Sequence, residues 1–280
     1  MSGLAQRVIT ALVLLALLVP ALLAEAAWPF NLITLLMIGA AGWEWGRLNQ
    51  AGAPLAWGIG LAVMAACGVA LTAGWASAAP QWVWWLAVVL WLLGTMLALR
   101  SGPTGWPRVA RPLRWLLGGL ALWAAWLAMA QARQLGLNFI MSVFCLVWMA
   151  DIAAYFSGRR FGRRKLAPSI SPGKSWEGVY GGVIGVLLLA LLWSQLEAGM
   201  APQSASLFTQ LGAALGWTGA ALALVLLAGT GVIGDLMESL VKRAAGAKDS
   251  SRLLPGHGGV LDRIDALLPV FPLAMALIGL

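Results

Sequence analysis

The sequence predicts an all-α, polytopic integral membrane protein with about nine transmembrane helices and a cytoplasmic amino terminus. Three observations support this fold class. First, 61% of the 280 residues are hydrophobic and the mean hydropathy is +0.86, values outside the range of soluble domains. Second, long apolar runs recur along the whole chain. Third, Lys and Arg residues fall on one side of the topology that these runs define.

The helices follow from the apolar runs, because a transmembrane helix needs about 20 mostly apolar residues. We interpret the first run as a membrane helix and not as a cleaved signal, since Glu25 and Trp28 follow where small cleavage-site residues would be expected. No strand pattern is evident, so the connections are expected to be loops. The predicted spans lie near 8–24, 28–45, 55–73, 81–99, 113–131, 138–157, 178–195, 211–233 and 266–280.

The basic residues predict the orientation of these spans. In a nine-span arrangement, all but one of the 18 Lys and Arg residues lie on the side of the amino terminus, and Arg133 is the exception. That side is therefore predicted to be cytoplasmic. The net charge of +8 is then a signal of membrane topology, and we expect no nucleic-acid partner.

The chain is predicted to divide near residue 137. Residues 1–137 are expected to form membrane helices for scaffolding, lipid contact and dimerisation, and their Arg-rich connection 100–114 is expected to contact anionic headgroups. Glu44 in this part is expected to pair with Arg47, with an approach to the functional site as the alternative. Residues 138–280 hold all five aspartates and are predicted to form a catalytic membrane domain with cytoplasmic polar loops.

The polar stretch around residues 235–265 shows helical spacing. Asp262 and Asp265 are three apart and share a face at the start of the ninth span. The end of the eighth span collects residues at i, i+3, i+4 and i+7 on one face: Asp235, Glu238, Ser239 and Lys242. Carboxylates that can hold a divalent cation, beside cations that can hold phosphates, predict phosphoryl chemistry. The alternative interpretation is a solvated cytoplasmic loop.

Two further features add candidates for anion binding. His257 is flanked by Gly256, Gly258 and Gly259, so we expect it to contact a phosphate or nucleotide and not to lie in a core. Upstream, Ser171-Pro-Gly-Lys-Ser175 is predicted to be a turn that offers hydroxyls, amides and one ammonium group to an anion at the start of the seventh span.

These motifs together resemble a known family. The run SLVKRAAGAKDSSRLLPGHGGVLDRID, from Ser239 to Asp265, closely resembles the signature of the phosphatidate cytidylyltransferases, or CDP-diacylglycerol synthases. The segments Gly234-Asp-Leu-x-Glu-Ser239, Asp151-x3-Tyr-Phe-x-Gly-Arg and Ser171-Pro-x-Lys-Ser-Trp-Glu-Gly178 are also similar to that family. The resemblance covers residues 150–280 in motifs and the first half only in hydropathy.

The resemblance implies an integral membrane nucleotidyltransferase that makes CDP-diacylglycerol and pyrophosphate from CTP and phosphatidate for phospholipid biosynthesis. It implies Mg²⁺, allows a second cation such as K⁺, and implies a homodimer among membrane lipids of the inner (cytoplasmic) membrane, with its active site on the cytoplasmic side. The metal ligands would be Asp235 and Asp262, with Asp265 and Asp249 as secondary candidates. The catalytic candidates are Asp235, Lys242, Arg243, Lys248, Asp249, His257, Asp262, Arg263 and Asp265. The candidates for phosphate or nucleotide binding are Ser171, Lys174, Ser175, Gly256, Gly258 and Gly259.

Two other functions remain as alternatives. A CTP-dependent lipid kinase would transfer the γ-phosphoryl group, so its product would carry no cytidine. A transporter or flippase of phosphorylated solutes would place charges near the bilayer midplane in broken helices, whereas the acids here cluster at the predicted helix ends.

Overall fold

The computed structural model describes residues 3–200 and 202–280, and helices account for 80% of it. The predicted helical fold class is confirmed at this level. The predicted cytoplasmic terminus, Met1 and Ser2, lies outside the described residues. The helices are α1 Gly3–Leu23, α2 Trp28–Leu48, α3 Ala53–Thr72, α4 Trp75–Ala78, α5 Gln81–Gly105, α6 Arg111–Leu135, α7 Leu137–Phe161, α8 Trp176–Met200, α9 Leu207–Ala244, α10 Leu261–Ile264 and α11 Leu267–Ile278, with a 3-10 turn at Trp106–Arg108.

Seven of these helices, within the described part of the chain, are long and apolar enough to cross a membrane: α1, α3 and α5 to α9. Two helices that correspond to predicted spans do not meet this description. Helix α2 has 21 residues but is less apolar, and α11 has only 12 residues, about 18 Å at 1.5 Å per residue. The count of nine and the orientation therefore stay predictions.

The expectation that no strands would form is wrong. Strands β1, Lys165–Ala167, and β2, Ser171–Ser175, form an antiparallel hairpin in the connection between α7 and α8. The segment predicted to be a Ser-Pro-Gly-Lys-Ser turn is therefore a strand. The hairpin is held at its base, where the amide of Trp176 donates to the carbonyl oxygen of Arg164 at 3.0 Å, and at its tip, where Ile170 is buried.

Helix α11 lies at the centre of the molecule. Every residue from Leu267 to Leu277 is buried, and the helix packs against α5, α6, α7 and α9. A helix that is apolar all round is stable only when other elements surround it. Because α11 follows directly after Asp265, this packing fixes the position of the acidic segment that precedes it.

Helix α9 carries the other acidic segment. The part of it that follows Gly216, residues 217–244, corresponds to about 42 Å, beyond the hydrocarbon thickness of about 30 Å. The helix bends at Gly216, which has φ 67° and ψ 170°. Its carboxyl-terminal turns, including Asp235 to Lys242, can therefore extend to the membrane surface.

Candidate active site

The polar face of α9 forms as the spacing predicts. Ser239 Oγ donates to Asp235 Oδ1 at 3.2 Å, and Lys242 forms an ion pair with Glu238 one turn before it. Glu238 is buried, where a carboxyl group needs a partner such as Lys242. The residues on this face thus contact one another or residues from other elements.

The hairpin brings a cation to this face. Lys174 Nζ, on β2, lies 2.6 Å from Asp235 Oδ2. Asp151, in the second half of α7, is close enough for its charge to interact with those of both Lys174 and Asp235. The segment 151–178 and the end of α9 therefore belong to one site, although more than 60 residues separate Lys174 from Asp235.

Asp262, on α10, connects α9 to the loop before it. Its Oδ1 lies 2.7 Å from Lys242 Nζ. Its Oδ2 accepts hydrogen bonds from the amide of Ser250 at 2.9 Å, the hydroxyl of Ser250 at 2.8 Å and the amide of Gly259 at 2.7 Å. Burial alone would raise the pKa of Asp262, but hydrogen bonds with Glu238, Lys242 and these amides lower the pKa below its ordinary value. Asp262 is therefore a carboxylate whose oxygens are already engaged.

The pKa of Asp265 is shifted in the opposite direction from that of Asp262. Burial, and then the negative charge of Asp235, raise the pKa of Asp265 to about 7, although the amide of Ala266 and the nearby Lys242 and Lys174 act against this rise. Two acidic side chains thus lie close together in a poorly solvated place. Such a pair is stabilised by any cation that reaches it.

The loop between α9 and α10 is compact. The amide of Leu254 donates to the Gly258 carbonyl oxygen, and the amide of His257 donates to the Leu254 carbonyl oxygen, both at 2.8 Å. Gly258 has φ 81°, and a Cβ there would lie 2.6 Å from Asp262 Oδ2. Arg263 Nη2 donates to the His257 carbonyl oxygen at 2.8 Å. The predicted tight turn is therefore present, and its glycines allow the backbone to approach Asp262.

His257 itself contributes its backbone to this turn. Its side chain is half-buried, and its Nδ1 is buried without a hydrogen-bond partner among residues 3–200 and 202–280. Whether this nitrogen contacts a nucleotide stays a prediction.

The expectation that Glu44 pairs with Arg47 is wrong. Arg47 lies over the Trp43 ring, 4.8 Å from its centroid, while Glu44 is fully buried and accepts hydrogen bonds from the loop between α9 and α10 and from the first residue of α10. Its donors are the hydroxyls of Ser250 and Ser251 at 3.2 and 2.6 Å and the amides of Val260 and Leu261 at 3.0 and 2.7 Å. The alternative, an approach to the site, is correct. The available signal was a carboxylate within an apolar helix, which is costly unless it is paired or functional.

The first helix also contacts this loop. Thr10 Oγ1 donates to the carbonyl oxygen of Pro255 at 2.8 Å. Gly256 has φ 76°, and a Cβ there would lie 2.8 Å from Arg7 Cγ. Glycine is thus required at position 256 both by its backbone conformation and by the close approach of α1.

Other predicted residues lie at the edge of the site. Ser175 is buried, and its Oγ accepts a hydrogen bond from the amide of Gly178 at 3.2 Å, so it caps the start of α8. Arg243 Nε donates to the carbonyl oxygen of Ile170 at 3.4 Å and so connects α9 to the hairpin. Among the described residues, the ion pairs include neither Lys248 nor Asp249, both of which are exposed. Ser171 opens β2 at the register position opposite Ala167.

We refer to the charged residues that interact around α9 as the ionic cluster: Asp151, Lys174, Asp235, Glu238, Lys242, Asp262 and Asp265. Carboxyl groups outnumber ammonium groups in this cluster, and Glu238 Oε1 is buried without a hydrogen-bond partner in the part of the chain that the structure describes. Oxygen donors of this kind suit a hard divalent cation. In this arrangement Lys174 and Lys242 lie between the carboxylates, and no three acidic, His or Cys side chains of the described residues converge closely enough to hold a metal ion.

The chain is similar to known proteins along almost its whole length. A sequence model of the cytidylyltransferase family matches residues 5–280. A phosphatidate cytidylyltransferase of Pseudomonas aeruginosa is 41% identical over 282 residues, covering 98% of this chain and 96% of that protein. Proteins of the same name are 49% identical over 137 residues in Haemophilus influenzae, covering 49% of this chain and 44% of that protein, and 40% identical over 143 residues in Staphylococcus epidermidis, covering 51% and 50%.

The match extends from α1 to α11 and includes the hairpin, the glycine-rich loop and every member of the ionic cluster. The chain therefore belongs to the cytidylyltransferase family.

Proposed function

We propose that this chain is a CTP:phosphatidate cytidylyltransferase, which makes CDP-diacylglycerol and pyrophosphate. Family membership makes it a nucleotidyltransferase, and the relatives that match it carry the name phosphatidate cytidylyltransferase. The observation that carries the proposal is the ionic cluster at the end of α9. It places two ammonium groups, Lys174 and Lys242, among carboxylates beside a glycine-rich loop.

The reaction joins two anions. A phosphate oxygen of phosphatidate attacks the α-phosphorus of CTP, a new P–O bond forms, and the bond from that phosphorus to the bridging oxygen of the β-phosphate breaks, so pyrophosphate leaves. The attacking oxygen is already anionic at neutral pH, so a strong general base is not needed. The task of the protein is to bring the anions together and to hold them in line.

The lysines of the ionic cluster suit this task. Lys174 and Lys242 are held by Asp235 and Asp262 at 2.6 and 2.7 Å, and arriving phosphates can compete for the same ammonium groups. Lys174 lies on a two-stranded hairpin, so it can follow a substrate with a small movement of that hairpin. Lys242 lies on α9, between two carboxylates, and is positioned more rigidly.

As part of this proposal, a divalent cation would bind two of the carboxylates and take the rest of its oxygen ligands from the substrate phosphates, since no three acidic, His or Cys side chains of the described residues converge. Asp235 and Asp265 are the better pair, because Asp262 already accepts three hydrogen bonds and one ion pair, and because Asp249 lies outside the ion pairs of the described residues. Mg²⁺ bound there would neutralise phosphate charge during the transfer. A second cation such as K⁺ is part of the same proposal.

We extend the proposal to the molecule's setting. The chain crosses the inner (cytoplasmic) membrane nine times, with its amino terminus and active site on the cytoplasmic side, and acts as a homodimer. The seven helices that are apolar and long enough to span and the one-sided distribution of Lys and Arg support the multi-pass arrangement. Phosphatidate would then reach the ionic cluster from the membrane and CTP from the cytoplasm.

The test is an assay of the purified protein in lipid nanodiscs with phosphatidate, Mg²⁺ and CTP labelled on the α-phosphate or on the γ-phosphate. We expect the α-label in the lipid product, together with released pyrophosphate. Transfer of the γ-label to lipid would instead indicate a kinase. Absence of any labelled lipid, with solute uptake into vesicles, would indicate a transporter.

A pair of acidic-residue variants tests the site within the same assay. Asp262→Asn weakens the ion pair with Lys242 and disturbs the loop, so we expect a loss of about a hundredfold or more in rate. Glu25→Gln changes an exposed acidic residue outside the ionic cluster and should stay within a fewfold of the wild-type rate. Equal rates for Asp262→Asn and the wild type would contradict the role given to the ionic cluster.

A further inference from the structure

A large apolar cavity lies in the amino-terminal half of the protein. Its volume is about 600 Å³ between α3, α5 and α6, within the range of about 300–1,000 Å³ typical of small-molecule pockets. Helices α3 and α5 each pack against α6, but contact between α3 and α5 themselves is at most marginal among the described residues. Small residues on the three helices keep the space open: Ala66, Gly94 and Ala121.

The cavity is long and has a pair of indole rings at each end. On α5 its lining runs from Trp82 to Thr95, about 20 Å along a helix. Trp75 and Trp82 meet edge to face at one end, with centroids 6.2 Å apart, and Trp45 and Trp106 do so at the other, also at 6.2 Å. One leaflet contributes about 15 Å of hydrocarbon, so this length suits a single extended acyl chain.

Positive charge lies at only one of these ends. The end at Trp106 follows the break in α5 at Gly102, which has φ 65°, and Trp106 is buried against Trp45. Arg108 and Arg111 lie next to Trp106 in the sequence and are exposed. An apolar channel that ends beside exposed guanidinium groups matches an anionic phospholipid, with its chain inside and its headgroup at the arginines.

The cavity is separate from the ionic cluster. Met237 of α9 and Leu268 of α11 form part of its wall. Met237 lies about 200° around the helix from Asp235 and about 100° from Glu238, so it is on a flank of α9 beside the polar face, and the cavity lining includes no residue of the ionic cluster. A lipid in this cavity would therefore contact this flank of α9 while a substrate occupies its polar face.

We propose that this cavity binds one acyl chain of a resident anionic glycerophospholipid, which packs against a flank of α9 and is not consumed in the reaction. The inference goes beyond the proposed function and does not depend on it, because lipid retention can be measured without catalysis. The resident lipid fills a space that would otherwise leave apolar side chains of α3, α5 and α6 without packing partners.

The chain offers a matched pair of variants for the test. An added Cβ at Gly94 or at Gly58 would meet no atom within 4 Å, but only Gly94 lines the cavity. The protein is extracted from membranes in mild detergent, and the phospholipids that stay bound are identified and counted per chain by native mass spectrometry. We expect the wild type and Gly58→Leu to retain one anionic phospholipid per chain and Gly94→Leu to lose it.

A second pair of variants keeps the test decisive if Gly94→Leu fails to fold. Ala66 lines the cavity, while the neighbouring Ala65 is exposed and does not, so Ala66→Phe should lose the lipid and Ala65→Phe should keep it. Incubating the lipid-bound wild type with CTP and Mg²⁺ should leave the bound lipid unchanged. Conversion of that lipid to a cytidine-containing product would mean that the cavity holds substrate. Such a conversion would overturn the proposal. A wild type without bound anionic lipid would also overturn it, as would equal lipid retention by Ala66→Phe and Ala65→Phe.

Discussion

At the residue scale, two carboxylates, those of Glu44 and Asp262, hold the loop between α9 and α10 and contact the same hydroxyl group. Ser250 Oγ lies 3.2 Å from Glu44 Oε2 and 2.8 Å from Asp262 Oδ2. A hydroxyl has a single proton to donate, so the two carboxylates share it. Because Glu44 is fully buried, its charge is stabilised by the donors of this loop. Glu44 is thus a positioning residue, which acts on Asp262 through Ser250.

The substitution Glu44→Gln tests this role. An amide group in place of the carboxylate turns one acceptor into a donor, so at least one of the buried donors at Ser251, Val260 or Leu261 loses its acceptor. We expect a loss of about 1–3 kcal/mol in stability and a fall in kcat, with partial rescue of kcat by Glu44→Asp. Thermal unfolding and initial rates of CDP-diacylglycerol formation would measure both.

The control for Glu44 is its neighbour on α2. Arg47 lies over the Trp43 ring, so Arg47→Gln should change stability by no more than about 0.5 kcal/mol and leave kcat unchanged. If Arg47→Gln were as damaging as Glu44→Gln, the sequence-based pairing of Glu44 with Arg47 would be right after all. Wild-type rates and stability for Glu44→Gln would also contradict the positioning role.

At the scale of elements, α9 and the segment from α10 to α11 approach each other at Gly234. A Cβ at this position would overlap the carbonyl oxygen of Asp265 and lie 3.0 Å from the Pro269 ring. Both neighbours belong to a backbone that the buried α11 holds in place. The glycine therefore sets the distance between Asp235, the next residue along α9, and Asp265.

The variant Gly234→Ala tests this contact. The added methyl group must displace the α10–α11 junction, which we expect to cost about 1–3 kcal/mol and to lower the affinity for Mg²⁺ and the rate of transfer. On the same helix, Gly229 has no atom within 4 Å of an added Cβ, so Gly229→Ala should be neutral or stabilise the helix by about 0.5–1 kcal/mol. Similar thermal midpoints for the two variants would rule out the proposed close approach.

The elements also show what the sequence could and could not predict. The shared face of Asp235 and Lys242 was predictable, because helical spacing determines it within one element. The hairpin was not, because contacts distant in sequence hold it: Lys174 with Asp235 and Arg243 with Ile170. The contact of Glu44 with Ser250 was not predictable for the same reason, since the two residues are 206 positions apart in the sequence. Spacing arguments do not extend across such separations.

At the scale of the whole molecule, three contacts bear on the number of membrane crossings. Thr10, near the start of α1, and Glu44, near the end of α2, both contact the loop after α9. If α1 crosses the membrane, α2 must cross back to return Glu44 to that side. At the other end of the chain, Gln81 Nε2 donates to the carbonyl oxygen of Ala276 at 2.7 Å, so α11 ends beside the connection between α3 and α5. These contacts support nine crossings.

Cysteine labelling tests the nine crossings directly. In a background with Cys67→Ala and Cys145→Ala, single cysteines replace Ala26, Lys248 or Leu280, all of which are exposed. We expect a membrane-impermeant maleimide to label Ala26→Cys and Leu280→Cys in intact spheroplasts, and Lys248→Cys only in inside-out vesicles. Helix α11 is about 18 Å long, which is shorter than the bilayer's hydrocarbon core of about 30 Å. Because the helices around it shield it from lipid, its length need not match the thickness of the bilayer. Labelling of Leu280→Cys only from the side of Lys248 would show that α11 does not cross, and labelling of Ala26→Cys from that side would exclude α1 and α2 as a crossing pair.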